Sequence, residues 1–160
     1  MIPRRPYWHV RRYEITNMKA VVESIGKVGS RSRSGNHEVV FDQPRGVPGG
    51  EDRGPSPLDV MVLSVAACAH YFASAFLYAR GHATDAVAVE VESEKDRVPV
   101  SRIGRLTIKV RLPAGLSERE IASVERAIKA CPAYGTLRYP PAVEITVEAR
   151  PPAGEERRTA

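Results

Sequence analysis

Cysteine is scarce: Cys68 and Cys131 are the only two among 160 residues. Two are too few to staple a secreted domain, yet enough for one reversible redox pair. Histidine is scarce as well. His9, His37, His70 and His82 are scattered and no cysteine cluster joins them at metal-ligand spacing, so no metal centre is expected. A lysine-bearing phosphate-binding motif is missing, which argues against ATP use. The opening MIPRRPYWHVRRYE has basic residues without the apolar run and small-residue cleavage site of a secretory leader, so a cytoplasmic location is expected. Charge of one sign is not abundant either. Lys plus Arg is 24 against 19 for Asp plus Glu, a formal +5 that is intermixed along the chain and does not name nucleic acid as partner. The single long apolar stretch, Val60 to Tyr78, is interrupted by Ser64, His70 and Ser74. It is expected to be a buried helix, not a membrane span.

What is present suits one domain. With 42% of residues hydrophobic, 160 residues can bury a core unaided. Residues 1–16 are expected to be a basic extension, 17–150 the domain and 151–160 a flexible tail. In the extension, Arg4, Arg5, Arg11 and Arg12 beside Trp8 are more simply a solvated arm than an anion-binding device. Met18 to Ile25 and His37 to Phe41 are expected strands on either side of a basic turn region, Gly26 to Gly35. Asp42 to Pro57 holds four prolines and four glycines and is expected to be a loop.

Ser56-Pro57-Leu58-Asp59 is a helix start, with Ser56 as cap, Pro57 in the first turn and Asp59 returning the capping bond. The helix is expected to reach Arg80, with Gly81 as its stop. Its apolar residues lie nearly all round it, which calls for cover on most sides and favours a homodimer. Ala86 to Glu94 and Arg105 to Leu112 alternate as half-buried antiparallel strands. Ser117 with Glu120 caps a second helix whose apolar face is Ile121, Val124, Ala127 and Ile128, ended by Cys131-Pro132. Val143, Ile145 and Val147 alternate with Glu144, Thr146 and Glu148 as a closing strand. The order of elements is α+β, not a βαβ nucleotide fold.

Cys68 falls in mid-helix on the face of Ser64, Val65 and Phe72, with His70 almost opposite, which disfavours a Cys-His pair within the helix. The same position denies it first-turn amides, so an activating cation must come from elsewhere. Arg31, Arg33 and Arg53 are the loop-borne candidates. Cys131, 63 residues later, falls at a helix end where exposure and mobility would ease disulfide formation. That division suits a peroxidatic Cys68 and a resolving Cys131; a buried inert Cys68 and a permanent structural disulfide are the alternatives.

GPSPLDVMVLSVAACA, from Gly54 to Ala69, and CPAYGTL, from Cys131 to Leu137, resemble the paired cysteine signatures of the OsmC/Ohr family, in its broader OsmC-like branch. The resemblance spans roughly Met18 to Arg150. It implies antiparallel sheets wrapped around long central cysteine helices in an intertwined homodimer. It also implies a thiol-dependent peroxidase for organic hydroperoxides, with Cys68 attacking the peroxide and Cys131 resolving. No bound cofactor is implied, only an external dithiol, a thiol or lipoyl-type reductant, and neither nucleic acid nor membrane is an expected partner.

Two departures from the family pattern stand out. The organic-hydroperoxide enzymes carry, ten positions before the first cysteine, a glutamate that orients the activating arginine; here that residue is Leu58. Asp59 is adjacent but belongs to the opposite helix face. The family arginine comes from the loop between the opening strands, where Arg31 or Arg33 is the nearest match.

Overall fold

The computed structural model describes residues 18–149. Arg4, Arg5, Trp8, His9, Arg11, Arg12 and the C-terminal tail lie outside them. Three strands open the fold as an antiparallel meander: β1 (Val21–Ser24), β2 (Ser30–Ser34) and β3 (His37–Phe41). Here β2 departs from expectation, because it lies inside the stretch assigned to a turn. Ser-Arg-Ser-Arg-Ser has the period of a strand without any apolar residue, so hydrophobic alternation cannot reveal it. Its two neighbours satisfy its backbone on both edges, with Val22 opposite Ser32 and Arg33 opposite Glu38. The true turn is confined to Ile25–Gly29, where Gly26 has φ +105 and Gly29 N–H donates to the Gly26 carbonyl at 3.0 Å.

The Pro/Gly loop is ordered by close backbone approach. A Cβ on Gly54 would stand 2.2 Å from the Val40 carbonyl oxygen, and one on Gly50 would stand 2.3 Å from that of Pro44. Only glycine fits there. At its end, Ser56 caps α1 (Pro57–Tyr78) in a reciprocal box: Asp59 N–H donates to Ser56 Oγ, while Asp59 Oδ2 accepts from Ser56 N at 3.2 Å. Such a cap stabilises by about 1 kcal/mol. The helix ends two residues short of Arg80. Gly81, at φ +77, turns the chain so that His82 N–H reaches the Leu77 carbonyl at 3.1 Å.

One stripe of α1 is buried: Val65, Ala69, Ala73, Phe76 and Leu77. It packs on Val124 and Ile128 of α2 (Glu118–Lys129), on Val87, and on the inner face of a hairpin formed by β4 (Ala88–Asp96) and β5 (Arg102–Arg111). Each large apolar side chain so buried contributes about 1.5–3 kcal/mol. Small residues in that stripe let the other elements approach the helix. Leu58, Met61, Leu63, Tyr71 and Tyr78 remain exposed on the same helix. By length and mean hydropathy, 1.8 over 18 residues, α1 also suits a membrane span, but its stripe ties it into the domain core.

In the hairpin, Val89 faces Val110 and Val91 faces Ile108, while Glu92–Lys109 and Glu90–Arg111 pair on the outer side. α2 keeps the expected face except Ile121, which is 48% exposed. Beyond it lies a helix the sequence did not announce, α3 (Pro132–Arg138), with Pro132 at its first position. The expected closing strand is not formed. Val143, Ile145 and Val147 are 77%, 84% and 88% exposed, and residues 140–149 pair with no strand among the described residues. An alternating segment becomes a strand only where its backbone groups pair with an edge, and residues 140–149 pair with none of the outer strands β1, β3, β4 and β5. The architecture is therefore α+β, two antiparallel sheets with a long central helix that carries Cys68.

Candidate active site

Cys68 is half-buried in the middle of α1, and α1 packs against both α2 and α3. That packing brings the second thiol to the first. Cys131 is only 2% exposed and is the N-cap of α3, its Sγ accepting from Tyr134 N at 3.3 Å. The expectation of an exposed cysteine at the end of α2 is thus corrected. Proline at position 132 does stop α2, but it also starts α3, and the residue between them is enclosed by both turns.

The two thiols are free and adjoin each other. Burial pushes the Cys131 thiol up to about 11; the Tyr134 N–H opposes that rise and the neighbouring Cys68 side chain adds to it. A protonated, buried sulfhydryl therefore lies beside a more open sulfur. In chemical terms, this is a proton-bearing second thiol within reach of a first that can meet solvent.

The cation candidates are spread differently. Arg31 and Arg33 lie on β2 and face one carboxylate across the strands: Arg33 Nε donates to Glu38 Oε2 at 3.1 Å, whereas Arg31 Nε lies 3.0 Å from Glu38 Oε1 without forming a hydrogen bond. Glu38 was missed from sequence. Its signal was a strand register, Arg33 opposite Glu38, which could be read only once β2 was recognised as a strand.

Arg53 has another task. Its Nε donates to Asp42 Oδ2 at 2.9 Å, Nη1 to the Ile25 carbonyl at 3.2 Å and Nη2 to the Gly26 carbonyl at 3.1 Å, with Glu51 Oε2 at 3.3 Å. Gly29 leaves space for the guanidinium, since a Cβ there would stand 2.0 Å from Nη2. All three of its side-chain nitrogens thereby take part in clamping the Pro/Gly loop onto the β1–β2 turn. The carboxylate of Asp42, itself buried, is held down to about 2, chiefly by Arg53.

Asp59 is taken up by the cap of α1, where Oδ2 also accepts from Ser56 Oγ at 2.7 Å. Nine residues of helix, about 13 Å along the axis, separate it from Cys68. Leu58 is 44% exposed and His70 is exposed. His82 Nε2 meets Glu120 Oε1 at 2.9 Å, tying the end of α1 to the start of α2. Among the described residues no group of three or more His, Cys, Asp and Glu is arranged to hold a metal ion.

Comparison with known proteins gives a consistent picture. Residues 49–146 match the family model described as OsmC-like protein. Among solved structures, a putative osmotic stress induced and detoxification response protein from Psychrobacter arcticus is similar with a TM-score of 0.66 at 17% identity, over 77% of this chain and 90% of that one. An OsmC-like protein from Mycoplasma pneumoniae gives 0.61 at 20% identity, over 77% and 86%. An organic hydroperoxide resistance protein from Legionella pneumophila gives 0.53 at 18% identity, over 78% and 91%. No curated protein sequence matches.

Proposed function

The chain belongs to the OsmC-like protein family, and from that premise we propose that it is a cytoplasmic thiol-dependent peroxidase acting on organic hydroperoxides. The observation that carries this reading is the adjoining pair of a half-buried Cys68 and a buried, proton-retaining Cys131.

In the proposed cycle the Cys68 thiolate attacks the outer peroxide oxygen. The O–O bond breaks, an alcohol leaves after taking up a proton, and Cys68 becomes a sulfenic acid, oxidised by two electrons. Cys131 sulfur then bonds to Cys68 sulfur. The S–OH bond breaks, and hydroxide departs as water with the proton that Cys131 has held. An external dithiol, of thiol or lipoyl type, reduces the disulfide and becomes a disulfide itself. Within one chain α1 packs chiefly on α2, α3 and β4 rather than on β2, so Arg31 or Arg33 would supply the cation for the thiolate from a second copy, with Glu38 in the orienting role that Leu58 cannot fill. A second copy of the chain covers the exposed apolar side of α1, giving a homodimer.

A second reading is a weakly catalytic relative that binds a small apolar or electrophilic ligand beside Val65 and Phe72. The engagement of Arg31 and Arg33 by Glu38, and of Arg53 by Asp42, favours it. Reaction of the reduced protein with an excess of tert-butyl hydroperoxide separates the two. The peroxidase consumes one peroxide per cysteine pair and yields a Cys68–Cys131 disulfide on peptide mapping. Intact thiols after that treatment would leave the ligand-binding reading in place.

A further inference from the structure

The β4–β5 hairpin ends in a tip that its own domain leaves bare. Between Asp96 and Arg102 the chain turns through Val98, Pro99 and Val100, and the two valines are 75% and 64% exposed. The turn is nevertheless built. Val98 N–H donates to Asp96 Oδ1 at 3.2 Å, and Arg102 Nη2 donates to Asp96 Oδ2 at 2.7 Å. The Asp96 carboxylate is therefore occupied within the turn.

Charge along the hairpin is uneven. On the shaft, Lys109 is matched by Glu92 and Arg111 by Glu90 at 2.7 and 3.0 Å. Near the tip the Arg105–Glu94 pair loosens to 3.6 Å, and Lys95 and Arg97 have no ion-pair partner among the described residues. The shaft is a balanced, solvated surface. The tip combines exposed aliphatic side chains with unmatched positive charge at the end of a paired hairpin.

We propose that this tip docks on an anionic lipid surface, with Val98, Pro99 and Val100 entering the headgroup boundary and Lys95 and Arg97 pairing with lipid phosphates. Each half of the feature fits that partner: apolar side chains gain by leaving water at the interface, and cations gain from its negative potential. Nucleic acid would satisfy the cations but has no use for the valines. The proposed contact is peripheral, and α1 stays in the core. None of this depends on the thiol chemistry.

The test is co-sedimentation of the full reduced chain with vesicles of phosphatidylcholine, pure or with about a third phosphatidylglycerol, so that surface charge is the variable. The expected result is binding to the anionic vesicles alone, weakened by salt. Lys95→Gln and Arg97→Gln should each weaken binding about fivefold, and the Val98→Ser, Val100→Ser double variant should weaken it without altering circular dichroism or peroxide consumption in solution. Cys68→Ser should bind like the parent chain. Equal binding to neutral vesicles, undiminished binding by the tip variants, a change of oligomeric mass in those variants, or equally effective displacement by duplex DNA at matched phosphate would each overturn the proposal.

Discussion

Cys131, at the N-cap of α3, adjoins Cys68 in the middle of α1, although 63 residues separate them in the chain. The pair is unequal by construction. Cys68 keeps partial access to solvent, whereas Cys131 is enclosed and receives the Tyr134 N–H on its sulfur. An oxidant arriving from solvent meets Cys68 first. A thiol that retains its proton is also equipped to deliver that proton to a departing hydroxide, so the burial that makes Cys131 a poor initial nucleophile fits the second step of the proposed cycle.

The elevated Cys131 thiol has a consequence for stability in alkali. Its folded value, about 11, lies above its ordinary 9.0, so the folded state favours the protonated form. That contribution is fully present below pH 9 and is lost as pH rises from 9 to 11. Urea midpoints of the reduced protein should fall across this window, and less so in Cys131→Ser. Alkylation should modify Cys131 more slowly than Cys68 at neutral pH. Modification of Cys131 with a midpoint near 9 would contradict the enclosed site.

The opposite sign applies in acid. Asp42 and Glu120 are both held down to about 2, by Arg53 and by Ser117 respectively, from ordinary values of 3.8 and 4.5. Their contributions are complete above those ordinary values and disappear as pH falls toward 2. Asp42→Asn should lower Tm at neutral pH and flatten the acid limb of the Tm profile. Arg53→Lys should not restore Tm, because an ammonium cannot reach a carboxylate and two carbonyls with fixed, planar geometry. An unchanged Tm in both variants would show the clamp to be dispensable.

Positioning of the cation can be separated from folding at Glu38. The pairs it makes with Arg31 and Arg33 are largely exposed and add little stability. If either arginine serves the thiolate, Glu38→Gln should reduce kcat/KM by about ten- to a hundredfold through lost orientation, with Tm nearly unchanged. Arg31→Ala and Arg33→Ala, compared side by side, identify which one acts. Rates equal to the parent in all three variants would remove β2 from the mechanism.

Much of this was legible where one residue type has one physical use. Ser56 with Asp59 and Ser117 with Glu120 announced both long helices, and the valines of β4 announced the hairpin. β2 escaped because a strand made of serine and arginine carries no hydrophobic signal. α3 escaped because Pro132 reads equally as a stop and as a start. Within the candidate site, the two cysteines could be found from sequence, but their nearness depends on how α1 packs against α3. The role of Arg53 depends on Asp42 being buried, which no local pattern states. Val143 to Val147 shows the converse, a clear pattern that none of the open sheet edges takes up.

The exposed side of α1 gives the last prediction. Leu77 is fully buried within the chain and Leu63 is 59% exposed, so their truncation should have different effects. Leu77→Ala removes core packing and should cost about 2–5 kcal/mol of stability at any protein concentration. Leu63→Ala leaves the intrachain core untouched. If a second copy covers that face, Leu63→Ala should make Tm more dependent on protein concentration, since dissociation then competes with folding. Leu63→Glu puts an unpaired charge into the same contact and should shift the mass measured by light scattering from two chains to one. A parent chain that is monomeric at all concentrations would leave Met61, Leu63, Tyr71 and Tyr78 facing water and would defeat the homodimer. A dimer indifferent to Leu63→Glu would place the interface elsewhere.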